Sequence, residues 1–261
     1  QTLGANLGLP DYDPATIEYA ARSGATDLAN IDAFVRGVKD LGLWESMVCW
    51  PLRSTQNAGT GTTAYSLGGL GTFNGTLVDG PTWGTDGITK ANAIEFINVT
   101  GTDSALRAAN SVFACYKSSD PAQAQQRVFC CQGGTASTNW WQIDIGTTAA
   151  YVFETRNSFN SAPSTVSLGT RTIEFNFFGS ARADTTAQQM LNGVLAAQQT
   201  GLSARNPTGT ANVDMIGTTG ATGARGTLSF AIALTPTISS GNMVALYNLY
   251  RATLGAGLGL P

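Results

Sequence analysis

Between about residue 52 and residue 236 the chain is broken into short β-prone runs, each closed by a cluster of Gly, Asn, Asp, Ser or Thr. The runs at 93–97, 111–116, 127–131, 140–145, 150–154, 171–177, 213–217 and 226–232 are examples. No helical period separates them. Many short strands with turn signals between them predict two stacked antiparallel sheets, a sandwich or jelly roll. Asn192-Gly193, set between Met190-Leu191 and Val194-Leu195, is a strong signal for a two-residue hairpin.

The two ends read differently. Asp13 followed by Pro14 makes an N-cap and first-turn pair, and Ser23-Gly24 stops the helix that runs to Arg22. After Thr26, the residues Leu28, Ile31, Phe34, Val35 and Val38 recur at three- and four-residue steps, which places one apolar stripe on a second helix. Gly42 interrupts it, a short turn covers 43–47, and Trp50-Pro51 ends helical character. A closing helix is readable from Ser239 to Leu254, with Met243, Val244, Leu246, Tyr247, Tyr250 and Leu254 on one face and Gly255 as its terminator. The expected division is a helical segment over 1–50, a sandwich over 51–238, and a helix with an apolar tail over 239–261.

Composition narrows the chemistry. The 261 residues contain no histidine, which removes Ser–His–Asp and Cys–His nucleophiles, His-ligated zinc and imidazole proton shuttles. Net charge is −3 and the only lysines are Lys39, Lys90 and Lys117, a poor match to a phosphate backbone, so nucleic acid is not an expected partner. The longest apolar stretch, around Phe230 to Leu234, is far short of a bilayer crossing, and no membrane insertion is expected. Cys49, Cys115, Cys130 and Cys131 include no C-x-x-C pair. Four small buried hydrophobes is the favoured reading; a hairpin bridge from Cys115 to Cys130 or Cys131 is the competing one. The chain begins at Gln1 without an initiator Met, which suggests processing or a place within something longer.

Catalysis is not expected. The glutamates Glu18, Glu45, Glu95, Glu154 and Glu174 have no acid two or four residues away, so no strand gathers the carboxylate pair a glycosidase needs. Asp144, Glu154 and Glu174 would have to converge through tertiary folding. Carbohydrate binding has better candidates. Trp140-Trp141 must send one ring to each side of its strand, and Trp83 stands in a turn; any of these rings can stack on a sugar or be buried as core. Asn74-Gly75-Thr76 and Asn98-Val99-Thr100 match glycosylation triplets.

A third class is assembly. Residues 2–10 (Thr-Leu-Gly-Ala-Asn-Leu-Gly-Leu-Pro) recur at 253–261, with eight of nine positions identical and only Asn6 against Gly257 differing. The repeat suggests one unit of a tandem array. Leu7, Leu9, Leu258 and Leu260 make both ends apolar, and apolar chain ends are candidate contacts between subunits.

Three places carry a family likeness. One is the stretch from Ile31 through Phe34 and Val38 to Gly42-Leu43-Trp44. The second pairs Gln188-Gln189-Met190-Leu191-Asn192-Gly193 with Val213-Asp214-Met215-Ile216-Gly217. The third joins Gly226-Thr227-Leu228-Ser229-Phe230-Ala231 to Leu246-Tyr247-Asn248-Leu249-Tyr250. From about residue 27 to 261 the chain resembles the concanavalin A-like (LamG-like) jelly-roll domains of bacteriophage virion proteins. The resemblance implies a mainly β, two-sheet antiparallel jelly-roll sandwich with N-terminal helices and one C-terminal helix. It implies a structural virion protein (capsid decoration, fibre or tail component) at a virion surface or outside cells. Such a protein works by subunit packing and display, with other virion proteins or its own copies as partners. The alternative is a lectin-like module whose partner is a cell-surface glycan. The acidic calcium loops of laminin-type relatives are not evident, and neither a metal nor another cofactor is expected.

Overall fold

The computed structural model describes residues 11–92, 94–99, 106, 110–119, 126–133, 141–145, 150–155, 164–170, 172–183, 185–196, 198–201, 211–217 and 224–261. Among these, two antiparallel sheets stack face to face, and three helices lie on one side.

Helix α1 (Pro14–Ser23) starts where its cap residue dictates. The Asp13 carboxylate accepts the Ala15 N–H at 2.9 Å, and Gly24 ends the helix in the left-handed region at φ 70°. Helix α2 (Leu28–Asp40) buries Ile31, Phe34, Val35 and Val38, the stripe read from its spacing. The two helices are fastened through Asp32, which accepts from the Asp13 backbone N–H (2.6 Å), Thr16 Oγ1 (3.1 Å) and Arg36 Nε (2.6 Å). Lys39 closes the same end by an ion pair with Asp13 at 2.8 Å. Helix α3 (Ser240–Ala252) begins at Ser239, whose hydroxyl accepts the Asn242 N–H.

The first sheet contains β1 (Met47–Pro51), β4 (Thr82–Gly84), β5 (Gly87–Lys90), β7 (Ser111–Ser118), β12 (Asn176–Ala183), β13 (Thr186–Leu191), β14 (Val194–Leu195) and β16 (Gly226–Leu234). Its order is β14-β13-β12-β7-β16-β5-β4, and β1 pairs with the C-terminal half of β16. The second sheet contains β2 (Thr63–Ala64), β3 (Gly75–Val78), β6 (Phe96–Val99), β8 (Gln126–Gly133), β9 (Trp141–Ile145), β10 (Ala150–Thr155), β11 (Ser164–Thr170) and β15 (Ala211–Met215). Its order is β11-β10-β9-β8-β15-β6-β3-β2. Non-sequential neighbours in both sheets are the mark of a jelly-roll type of sandwich.

Two hydrophobic clusters separate the layers. Trp50, Ile97, Val99, Val128, Phe129, Tyr116, Phe178 and Met215 fill the space between the sheets. The other cluster joins the helices to the first sheet, and every strand residue in it (Met47, Cys49, Phe113, Cys115, Phe177, Ala181, Met190, Phe230, Ile232 and Leu234) belongs to that sheet. Phe230 centres this cluster. Its ring stacks on Tyr250 at 4.6 Å and Phe177 at 6.4 Å, and meets Phe34 edge-on at 5.6 Å.

Two sequence expectations need amendment, and for Cys115 the favoured reading as a buried, unbridged residue holds. Residues 47–51 close no helical segment; they form the fully buried strand β1, because β16 offers them an edge and both of its faces are covered. Cys115 forms no hairpin bridge. It is unpaired and buried in the first sheet, while β8, which carries Cys130 and Cys131, belongs to the second; burial pushes the Cys115 thiol up to about 12. Helix α3 stops at Ala252, ahead of Gly255. The latter is needed for closeness, since a Cβ there would stand 2.6 Å from the Tyr250 ring. Asn192-Gly193 is the hairpin turn expected, with φ 50° and 79°.

Phe230→Ala is expected to destabilise the fold by about 3–5 kcal/mol, since it opens a cavity where both helical ends meet the sheet. Urea unfolding checks this against Ile173→Ala, an exposed site where the change is expected to stay within about 0.5 kcal/mol.

Candidate functional site

The first sheet has one face on the second sheet and the other under the helices, which leaves the outer face of the second sheet outside both hydrophobic clusters. Its register builds a polar row. Thr63 stands opposite Thr76, Thr76 opposite Asn98, Asn98 opposite Asp214, Asp214 opposite Cys130, and Cys130 opposite Gln142. The Thr155–Trp141 pairing continues this row from Gln142 to Glu154, and Glu154 is opposite Thr165. One row of backbone positions therefore crosses the whole sheet, and none of its residues is a large hydrophobe. The next position holds a charged pairing, Arg127 opposite Asp144.

Asp214 is the distinctive group in this row. Val213 and Met215 on either side of it belong to the core, so strand alternation turns its carboxylate to the other face. There it is only 1% exposed and accepts the Asn98 Nδ2–H at 2.6 Å. Burial raises its pKa to about 6, against the opposing pull of the Asn98 hydrogen bond. At that exposure the carboxyl acts inside the fold, as the partner that fixes Asn98, and the exposed Thr76 beyond Asn98 is the row position a ligand reaches. The sequence reading missed Asp214, weighing Asp144, Glu154 and Glu174 instead. The available signal was an aspartate, a poor strand former, in the middle of a strand between core residues.

A second buried polar group ties the sheets together. Lys90, at the end of β5, donates from Nζ to the Ile216 carbonyl at 2.7 Å, just beyond β15. Burial lowers its pKa to about 8 despite the attraction of Glu95. Ile216 holds φ 52°, an unusual conformation for a β-branched residue. Glu95 is committed to the Ala91 N–H and Asn92 Nδ2, both at 2.8 Å.

The residues singled out by sequence fall in separate places. Trp83 lies on β4, at the edge of the first sheet; it is half-buried against the core and donates its Nε1–H to the Gly61 carbonyl at 3.0 Å. Trp141 begins β9 in the second sheet, where only its backbone is described, and Trp140 lies outside the described residues. Trp83 and Trp141 are thus in different sheets. Leu7 and Leu9 are outside the described residues. Leu258 is buried and Leu260 half-buried in the helix-side cluster of their own chain. Glu174 is exposed ahead of β12, and the side chain of Glu154 is outside the described set. Asn98 spends its amide on Asp214, and Asn74 accepts the Ser66 N–H, so both triplet asparagines are engaged within the fold.

No protein family and no curated protein matches the sequence. Likeness to solved structures is one of fold. A Trypanosoma rangeli sialidase mutant displaying trans-sialidase activity aligns at 11% identity with a TM-score of 0.59, covering 88% of this chain and 40% of that one. The botulinum neurotoxin serotype D binding domain aligns at 11% identity and TM-score 0.55, covering 79% and 52%. The Ruminococcus gnavus sialidase CBM40 domain bound to α2,3-sialyllactose aligns at 17% identity and TM-score 0.46 over 54% of this chain and 84% of its own. The chain accordingly spans about half or less of the first two and most of the third. The architecture is a mainly β sandwich. Among the described residues no helix is long and apolar enough to cross a membrane, a statement that does not touch β-barrels.

The Asp214 carboxyl gives a signed prediction. The folded chain keeps a proton on it up to about pH 6, whereas the unfolded chain releases that proton near pH 4, so its contribution to stability falls as pH rises from about 4 to 6 and is level above. Asp214→Asn removes that fall and is expected to gain on the order of 2 kcal/mol at pH 7 relative to the parent. Urea midpoints from pH 4 to 7.5 check this; parallel profiles for the two proteins would sink the assignment.

Proposed function

We propose that this chain is a non-catalytic structural and display module of a virion, of the decoration, fibre or tail kind. It packs through its helical side and presents the outer face of the second sheet. The observation that carries the reading is the one-sided layering: all three described helices stand on the first sheet, and a polar row crosses the other. An enzyme of this architecture would bring two carboxyls together. Asp214, the buried carboxyl of the row, is instead partnered by an amide.

The virion setting rests on the likeness of the three segments to phage virion domains; Met215, Ile216, Leu228 and Ala231 of the last two lie in the inter-sheet core, and others gather on the helix side. Phe34 and Val38 from the first, Met190 from the second, and Phe230, Leu246, Tyr247 and Tyr250 from the third all belong to the helix-side cluster. A lectin-like role is the second reading. The row of Thr, Asn, Asp, Gln and Glu positions suits hydroxyl-rich ligands, and the solved sandwiches it resembles in fold include a toxin binding domain. A glycan on the target surface is the ligand class this reading commits to; Trp141 stands one position off the row, opposite Cys131, whose other partner is the core residue Val213.

Negative-stain microscopy with light scattering is expected to show fixed oligomers or ordered polymers of the purified chain. A strict monomer with no glycan-array signal overturns both readings, whereas a strict monomer that retains the signal selects the lectin-like one. In that case Thr76→Ala, at an exposed position of the row, is expected to weaken binding about fivefold, the loss of one hydrogen bond.

A further inference from the structure

The C-terminal nonapeptide 253–261 occupies a built cradle. The Arg53 guanidinium donates from Nη1 to the carbonyls of Leu254 (3.2 Å) and Ala256 (2.8 Å), and Gln56 Nε2 donates to Leu254 at 3.0 Å. Arg53 is itself fixed by the Thr85 carbonyl at 2.9 Å. The end of α3 supplies acceptors: Thr253 Oγ1 donates to the Leu249 carbonyl and the Gly255 N–H to that of Tyr250. Tyr247 and Arg251 both donate to the Pro261 carbonyl. Leu254 and Leu258 are buried, and Leu260 is packed against the same cluster.

Each requirement of this seat is met a second time in the sequence. Leu3, Leu7 and Leu9 match the three anchoring leucines, and Thr2 matches Thr253. Gly4 matches Gly255, where a Cβ would strike the Tyr250 ring, and Gly8 matches Gly259, which holds φ 71°. The single difference falls at Gly257. Its φ is 83°, and nothing lies within 4 Å of where its Cβ would be. The counterpart is Asn6, and asparagine is among the non-glycine residues that best tolerate a left-handed backbone. Drift in a Gly/Leu-rich sequence has no reason to place its one change at a glycine position with open space, nor to choose asparagine there.

We propose that residues 2–10 are a second ligand for this cradle, seated on a neighbouring copy of the same fold, so that copies join head to tail. This deepens the assembly half of the function proposed above. Pro10 is followed by Asp11, so its carbonyl is an amide acceptor for the Tyr247 and Arg251 of the neighbour. In an intact copy the covalent tail competes for the cradle, so joining proceeds by exchange of tail for the neighbour's N-terminal segment and grows with protein concentration.

The test compares two peptides, residues 2–10 and residues 253–261, on a chain truncated after Ala252. Both are expected to bind with affinities within about fivefold of each other and to raise the melting temperature. Arg53→Ala is expected to weaken both about tenfold or more. The truncated chain should self-associate, and removing residues 1–10 as well should return it to a monomer. Binding of the 253–261 peptide without the 2–10 peptide overturns the proposal, as does a folded truncated chain that stays monomeric. If the truncated chain does not fold, Gly257→Asn in the full chain decides, because it writes the N-terminal sequence into the tail. An unchanged melting temperature supports interchangeability, and a drop of more than about 5 °C refutes it. Glycan-array signal measured on the same proteins reports the display face separately, so either idea can fail alone.

Discussion

Burial of β16 on both faces is the constraint on which the rest of the structure depends. Phe230, Ile232 and Leu234 reach the helices, while Leu228, Ala231 and Ala233 face the second sheet, and the shift in register between Leu228 and Phe230 lets both sets point correctly. A strand covered on both sides reads as a nearly continuous apolar run, which is why 226–234 lacks the alternation of a half-exposed strand. The strand also organises its neighbours. It carries β7 along one edge, and β5 followed by β1 along the other. The aromatic group of Phe34, Phe177, Phe230 and Tyr250 then holds α2 and α3 to it, bringing both helical ends of the chain onto one sheet.

This dependence explains what the sequence revealed and what it hid. Helix α1 was legible to within one residue, running to Ser23 where Arg22 was expected, because its limits are local chemistry: a capping aspartate, a first-turn proline and a left-handed glycine. The Asn192-Gly193 hairpin was legible for the same reason. Strand β1 was not. Met47 to Pro51 ends in a proline and follows a helical turn, and only the edge offered by a strand some 180 residues later makes it extended. The cysteines were similarly ambiguous. Their spacing allows a hairpin bridge, and the separation of Cys115 from β8 is a fact of sheet order, which spacing cannot encode.

The candidate site was less legible than the fold. Aromatic rings draw attention in a sequence, yet Trp83 takes an edge position with its N–H already satisfied, and Trp50 is wholly interior with its N–H on the Phe73 carbonyl. The polar row depends on register across strands far apart in the chain, from Thr76 through Asn98 and Asp214 to Gln142. No local pattern announces it, and a single residue of slip would turn Asp214 into the core. Its carboxyl is tolerated because Asn98 supplies one hydrogen bond and because the group keeps its proton up to about pH 6.

The two surfaces with functional character are separated by the layering itself. The tail cradle is built from α3 and from the loop after β1, on the side where the helices cover the first sheet. The polar row lies on the second sheet, with the sandwich core between. Contacts made at the cradle therefore fall on the opposite side of the core from the row. The attachment role proposed above needs this division, because contacts that fix one copy to the next would otherwise consume the face proposed for a target. The glycines reflect the same division of labour: Gly255 and Gly259 shape the tail that sits on the helical side, while Gly75 admits close packing of β3 onto β6, where a Cβ would stand 2.7 Å from Ile97. Backbone conformation serves the seating of the tail at one surface and sheet register at the other, so each can change without disturbing its counterpart.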